Sequence, residues 1–191
     1  MPAAHPLDAN FARHTARSAP LTPAEMQARV ARFDRLQASA VSFIDSLIPG
    51  HERALLSVIG AGVTEDAGLK PAIAAADNFH IDYIRAEPGC GAALHAHDTE
   101  EVFVVISGSW EFYWGDTGAD SVTLGERDVI SVPAQVMRGF RNLGDTTHLL
   151  LSVLGGRHPG PVTWSPKVLD EARKTPLRFD ADGRAVRIDR A

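Results

Sequence analysis

The chain has little of what marks secreted or membrane proteins. Cys90 is the single cysteine among 191 residues, which excludes an internal disulfide. No apolar run approaches the ~18 residues that a membrane-spanning helix needs. The first twenty residues contain no continuous apolar segment, so we expect no secretory signal. These absences predict a soluble, cytoplasmic protein with no membrane partner.

Positive charge is scarce in the middle of the chain. Residues 41–156 hold six basic against sixteen acidic residues, a balance of −10, whereas residues 1–40 and 157–191 are mildly basic. An acidic region repels polyanions, so we predict no nucleic-acid partner. The overall composition, with 45% hydrophobic and 23% charged residues, is that of an ordinary globular protein.

The first structural signal is a helix start near residue 22. The run Thr22-Pro23-Ala24-Glu25 has the pattern of a capping box with proline at the first helical position. Pro49-Gly50 is a stop signal. Between them, apolar residues recur at helical spacing and predict an amphipathic helix that packs on the rest of the protein or on a second copy. They are Met26, Val30, Phe33, Leu36, Ala40, Val41, Ile44 and Leu47. Residues 1–50 are thus predicted to be an arm and a helix.

After residue 50 the pattern changes to short β-type runs separated by turn residues. Many short strands at about ten-residue spacing, without helices between them, indicate an all-β antiparallel sandwich or barrel over residues 51–156. A C-terminal extension over 157–191 is predicted to hold a short capped helix from Ser165-Pro166 to about Lys174, then a hairpin that turns at Asp182-Gly183. The predicted strands are 54–59, 79–86, 92–97, 102–106, 109–114, 121–124, 128–132, 136–141 and 147–154.

The residues that carry chemistry lie in the segment PGCGAALHAHDTEEVFVVISGSWEF. His95 and His97 are two residues apart, so on a strand their side chains project from the same face. Two such imidazoles can converge on one metal ion, and Glu101 can add an oxygen ligand as the next strand begins. Two histidines and one carboxylate on one side of an ion leave positions open for water, substrate or dioxygen.

The spacing of this segment resembles the first motif of the cupin superfamily. Gly89, five residues, His95, one residue, His97, three residues, Glu101, six residues and Gly108 match that motif in full. The resemblance covers roughly residues 52–156 and implies a small, single-domain jelly-roll barrel of the type-2 cupin kind. It aligns His95, His97 and Glu101 with three of the four usual ligands of a divalent transition metal such as Fe, Mn, Ni or Zn. Because cupins are often dimers, it also implies a homodimer.

The second cupin motif is altered here. In GERDVISVPAQVMRGFRN, Gln135 stands where glycine is usual, and Arg138 stands where the family has its fourth ligand, a histidine. A protonated guanidinium has no lone pair to give to a metal. Arg138 can bind an anionic small-molecule substrate beside the metal, pair with Glu101 in place of a metal, or face solvent. The sequence leaves these three interpretations open.

Several other residues are weaker candidates for the site. His80 and Asp82 share one face of a predicted strand, and His148 begins another near the barrel mouth. A structural role is the simpler interpretation for each of them. The alternating aromatic residues Trp110, Phe112 and Trp114 predict barrel core, a dimer contact, or an apolar wall for a ring-shaped substrate.

Two classes of function follow from these residues. The first is a metal-dependent enzyme acting on a small organic acid or an aromatic compound. Dioxygenase-type oxygenation is the leading reaction by family resemblance, and isomerase or lyase chemistry is the other. The second class is a non-catalytic cupin that binds or senses a small molecule, with Arg138 in place of the fourth metal ligand.

Overall fold

The computed structural model describes residues 19–188, which fall into two compact units, 19–30 and 31–188. The first unit contains helix α1 (Pro23–Gln27). Its capping box forms as predicted, because the Glu25 amide donates to the Thr22 hydroxyl over 3.2 Å and the Thr22 amide donates to the Glu25 carboxylate over 2.7 Å. Helix α1 ends after five residues, however, and buries none of them.

The prediction of a long amphipathic helix up to residue 48 is therefore wrong. Beyond a 3₁₀ turn at Phe33–Arg35, serine side chains hold the backbone in non-helical turns. The Ser42 hydroxyl donates to the Ser39 carbonyl over 2.9 Å, and the Phe43 amide donates to the Ser46 hydroxyl over 3.1 Å. Such local bonds compete with helical ones. The exposed part of the predicted stripe consists of Met26, Val30, Phe33 and Ala40, and its buried part includes Ile44.

The rest of the described chain contains thirteen strands and a second helix. The predicted strands are confirmed to within two residues at each end, and two short strands, β1 and β11, were not predicted. The strands are β1 (Ala38–Ser39), β2 (Ala54–Ile59), β3 (Phe79–Ala86), β4 (Gly91–Ala96), β5 (Glu101–Val105), β6 (Trp110–Trp114), β7 (Asp120–Leu124), β8 (Val129–Val132), β9 (Arg138–Asn142), β10 (His148–Gly155), β11 (Thr163–Trp164), β12 (Leu177–Phe179) and β13 (Ala185–Arg187).

The strands form an antiparallel jelly roll of two sheets. A six-stranded sheet has the order β1-β2-β3-β10-β5-β8, and a five-stranded sheet has the order β11-β4-β9-β6-β7. Several connections cross from one sheet to the other, as in a double-sheet jelly roll. The aromatic side chains of Trp110, Phe103, Phe112 and Phe140 are almost fully buried in the core, as the alternating pattern of β6 predicted for two of them.

The C-terminal extension is also confirmed. Helix α2 (Pro166–Ala172) is capped by the Ser165 hydroxyl, and β12 pairs with β13 across the turn at Asp182-Gly183. Within residues 19–188, no helix has the length and apolar character that a membrane span requires. The division of the chain at residues 50 and 156 stays a prediction.

Candidate metal site

The fold brings His95, His97 and Glu101 together inside the jelly roll. His95 lies on β4, His97 directly follows that strand, and Glu101 is the first residue of β5. One ligand-type atom from each of the three lies within 4.8 Å of the other two, and all three residues are buried. The predicted set of metal-ligating side chains therefore occupies one place in the structure.

His95 is held in one orientation by two contacts. Its Nδ1 lies 2.7 Å from the Ala93 carbonyl oxygen, and its ring lies 5.3 Å from the Trp164 ring, centroid to centroid. A carbonyl accepts only, so Nδ1 carries the proton and the lone pair is left on Nε2. Burial, followed by electrostatic interactions with Arg138 and with His97, lowers the pKa of His95 well below its usual value. His95 is thus a neutral imidazole, the form that binds metals.

Glu101 is the anionic centre of the site. Its Oε1 accepts from the Ser152 hydroxyl over 2.7 Å, and its Oε2 lies 3.4 Å from His97 Nε2. Burial alone would raise the pKa of Glu101, but His97, Arg138 and His95 together outweigh burial and hold that pKa far below its usual value. The carboxylate is therefore ionised at neutral pH.

Arg138 is turned inward and pairs with this carboxylate. Its register partner across β4 and β9 is His95, and its Nη2 donates to Glu101 Oε2 over 2.5 Å. Arg138 is only 1% exposed, which excludes the solvent-facing interpretation. Its Nη1 makes only long contacts of 3.5 Å, with the carbonyls of His95 and Val136, and Nε has no hydrogen-bond partner within the described residues.

The cavity beside these residues is small. It measures about 30 Å³ and is lined by His95, His97, Glu101, Asp82 and Trp164 among others. That volume is roughly the share of one water molecule in the liquid. The cavity has space for a metal ion or a water molecule.

The residues present fit a metal ion. His95 presents an unprotonated nitrogen, and Glu101 is an ionised oxygen donor. His97 Nδ1 is buried without a hydrogen-bond partner among the described residues, so this ring lacks a full set of protein partners. The donor set suits a divalent transition metal, and Arg138 is the one competitor for Glu101 among these side chains.

A second buried ion pair, which sequence reasoning missed, holds β4 in place. Arg53 Nη1 donates to Asp45 Oδ2 over 2.9 Å and to the Gly91 carbonyl over 3.1 Å. Asp45 Oδ2 also accepts from the Ala93 amide over 3.0 Å. Because the Ala93 carbonyl orients His95, this pair positions the first candidate ligand indirectly. An aspartate within the apolar run SFIDSLI was the available sequence signal.

Asp82 is a further buried carboxyl group in the wall of the cavity. It lies on β3 between Ser57 and Ser152 in the strand register, and its Oδ1 has no hydrogen-bond partner among the described residues. Burial raises the pKa of Asp82 to about 7, a hydrogen bond from Ser57 acts in the opposite direction, and the charge of Glu101 adds to the increase. The sequence identified this residue only as a weak candidate.

This pKa makes the contribution of Asp82 to stability depend on pH. The folded protein holds the proton up to about pH 7, whereas the unfolded chain loses it near the usual Asp value of about 4. The unfolding free energy therefore falls as pH rises from about 4 to 7, and the loss is complete above 7. We expect wild type to lose roughly 4 kcal/mol relative to Asp82→Asn across this range, at about 1.4 kcal/mol per pH unit. Urea unfolding of both proteins in EDTA, repeated across this pH range, measures the difference. Parallel curves of unfolding free energy against pH for the two proteins would contradict the prediction.

The other histidine candidates do not line the cavity. His80 is buried, and its Nδ1 accepts from the Gly62 amide over 3.0 Å. His148 packs against Gly108 so closely that a Cβ on Gly108 would lie 2.1 Å from the His148 ring. That contact, with a φ of +77°, explains the glycine at this position of the first motif.

Gln135 adopts the conformation that glycine would supply. Its φ is +65°, in the left-handed region. The Gln135 amide donates to the His97 carbonyl over 2.9 Å, and its side chain donates to Asp98 Oδ1 over 2.7 Å. These two bonds offset the cost of the left-handed backbone and fix the turn next to His97.

Comparison with known proteins agrees with this architecture. Residues 83–154 match the family model of the Cupin domain. The polyketide cyclase RemF from Streptomyces resistomycificus is 20% identical, with a TM-score of 0.52 over 70% of this chain and 82% of that one. An RmlC-like cupin from Shewanella frigidimarina is 14% identical, with a TM-score of 0.47 over 68% and 89% of the two chains. No curated protein matches this sequence.

The jelly roll and the matched region define the class of protein: this is a β-barrel of the double-sheet type with a buried His, His, Glu cluster. Residues 83–154, the part of the chain that matches, form a Cupin domain.

Proposed function

We propose that this cupin binds one divalent transition metal through His95, His97 and Glu101 and is an enzyme acting on a small organic anion. The observation that supports the proposal most is the convergence of three buried ligand atoms within 4.8 Å. Arg138 then serves the anionic substrate. A metal held by two histidines and one carboxylate supplies open positions for dioxygen or polarises an oxygen of the substrate. Dioxygenase-type oxygenation is our leading reaction class.

The charges of the site favour an anionic substrate. Glu101 and Arg138 neutralise each other, and a divalent ion would bring the buried site to about +2. Burying that net charge is costly unless an anion offsets it. A carboxylate that reaches Arg138 meets this requirement with charge-assisted hydrogen bonds.

One observation favours a second candidate function. The short contact between Arg138 Nη2 and Glu101 Oε2, at 2.5 Å, already gives the carboxylate a cationic partner. In this alternative the ion pair replaces the metal, and the protein binds or senses a small molecule without turnover. The homodimer and the cytoplasmic location remain predictions under both candidates.

Metal analysis of protein without a polyhistidine tag tests the proposal. We expect about one Fe, Mn, Ni or Zn ion per chain, because three buried ligands suffice for a site with open positions. The double substitution His95→Ala with His97→Ala should abolish binding, whereas His158→Ala, at an exposed histidine, should retain it. A wild-type protein that stays metal-free after reconstitution with each ion would contradict the proposal.

Variants at Arg138 separate the two candidates. If the metal is bound beside the arginine, Arg138→Ala keeps it, and Arg138→His binds it more tightly by adding a fourth ligand. If the ion pair replaces the metal, Arg138→Ala frees Glu101 and the variant gains a metal that wild type lacks. Parallel metal titrations of wild type and both variants decide which holds.

A further inference from the structure

A groove that Arg138 helps to line shares no lining residue with the small cavity. It lies between β7, at the edge of one sheet, and β8, at the edge of the other. Its volume is about 480 Å³, within the range of about 300–1,000 Å³ for small-molecule sites. Its walls include Trp114, Val122, Ile130 and Val136. The groove is thus much larger than the 30 Å³ cavity and can hold an organic molecule.

Arg138 contributes the one charged side chain among the described residues that line this groove. The guanidinium contacts Glu101 through Nη2, while its Nε has no partner in the described chain and Nη1 has only contacts of 3.5 Å. A buried donor without a partner is costly, and a carboxylate can accept from both nitrogens. The groove thus has an apolar wall and one cationic side chain, Arg138, whose Nε and Nη1 lack short hydrogen bonds.

We propose that the groove between β7 and β8 binds an aromatic carboxylate, with its ring on the apolar wall and its carboxylate on Arg138. Aromatic residues Phe112, Tyr113 and Trp114 line one side and favour a ring. None of the described residues that line the groove is acidic, and the nearest carboxylate is that of Glu101, which pairs with Arg138 from outside the lining. This proposal rests on Arg138 as the anion-binding group of the proposed function, and it does not require the metal.

Calorimetric titration of the full chain with phenylacetate, in EDTA, tests the groove. Phenylacetamide is the matched neutral probe, and we expect phenylacetate to bind about 10- to 100-fold more tightly because of its charge-assisted hydrogen bonds. Val122→Asp places a negative charge in the groove and should weaken phenylacetate about tenfold or more. Val129→Asp is the control, since Val129 is exposed on β8 but does not line the groove.

A second pair of substitutions tests Arg138 without leaving an unpaired buried charge. Arg138→Gln combined with Glu101→Gln removes both charges at once, and it should abolish the preference for phenylacetate over phenylacetamide. Equal binding of the two probes to wild type, or equal effects of Val122→Asp and Val129→Asp, would overturn the proposal. The proposal would also be overturned if the protein is a dimer that does not bind phenylacetate and that Val122→Asp converts to monomers. In that case a second copy of the chain occupies the groove.

Metal stoichiometry is measured separately, so the two proposals can fail independently. If the protein binds metal but does not bind phenylacetate, the groove proposal is wrong and the metal-site proposal is unaffected. If the protein binds phenylacetate in EDTA but does not bind metal under any condition, the groove proposal is supported and the proposed metal-dependent function is wrong.

Discussion

Arg53→Ala is expected to lower the free energy of unfolding by about 3–5 kcal/mol, the usual cost of removing one partner of a buried ion pair. Asp45 would keep its charge in the core and retain only the Ala93 amide as a donor to Oδ2. The Gly91 carbonyl would lose a donor, and the Phe43 ring would lose the guanidinium that lies 4.9 Å from its centroid. Chemical denaturation measures the change.

The control is Arg157→Ala, at an exposed pair with Asp77 in which both side chains are more than half exposed. An exposed pair contributes about 0–1 kcal/mol. Removing both buried charges, with Arg53→Met and Asp45→Asn together, should recover much of the lost stability. Losses of similar size in Arg53→Ala and Arg157→Ala would show that the buried pair does not hold β4.

Gly91→Ala is expected to destabilise the protein by about 4 kcal/mol or more, at the upper end for single substitutions. A Cβ at this position would lie 1.9 Å from the Phe140 carbonyl oxygen and 2.7 Å from the Arg141 Cα. Both atoms belong to the backbone of β9, so no side-chain rotation relieves the overlap. Strands β4 and β9 must move apart instead.

The same movement would displace His95, which lies on β4, from its position beside His97 and Glu101. We therefore expect the folded fraction of Gly91→Ala to bind metal more weakly than wild type. Gly115→Ala is the control, because Gly115 has a φ of +87° and open space around it. Its cost is the strain of a left-handed residue, roughly 1–2 kcal/mol. Equal melting temperatures for the two variants would contradict the clash.

Much of the barrel was predictable because its signals are local. The strands were located to within two residues since each is a short alternating run between turn residues. The shared face of His95 and His97 follows from the two-residue period of a strand. Segment 28–48 was mispredicted because its apolar spacing suits a helix, whereas local serine hydrogen bonds hold the backbone in turns.

The sequence by itself determined the cupin architecture, the C-terminal hairpin and the three candidate ligands, because strand periodicity and motif spacing are written in consecutive residues. Tertiary structure alone decided that Arg138 faces Glu101, that Trp164 lies against His95, and that a groove opens between β7 and β8. These facts depend on which strands become neighbours. Pairings such as β4 with β9 and β11 join residues some 40 to 70 positions apart, and no local pattern specifies them.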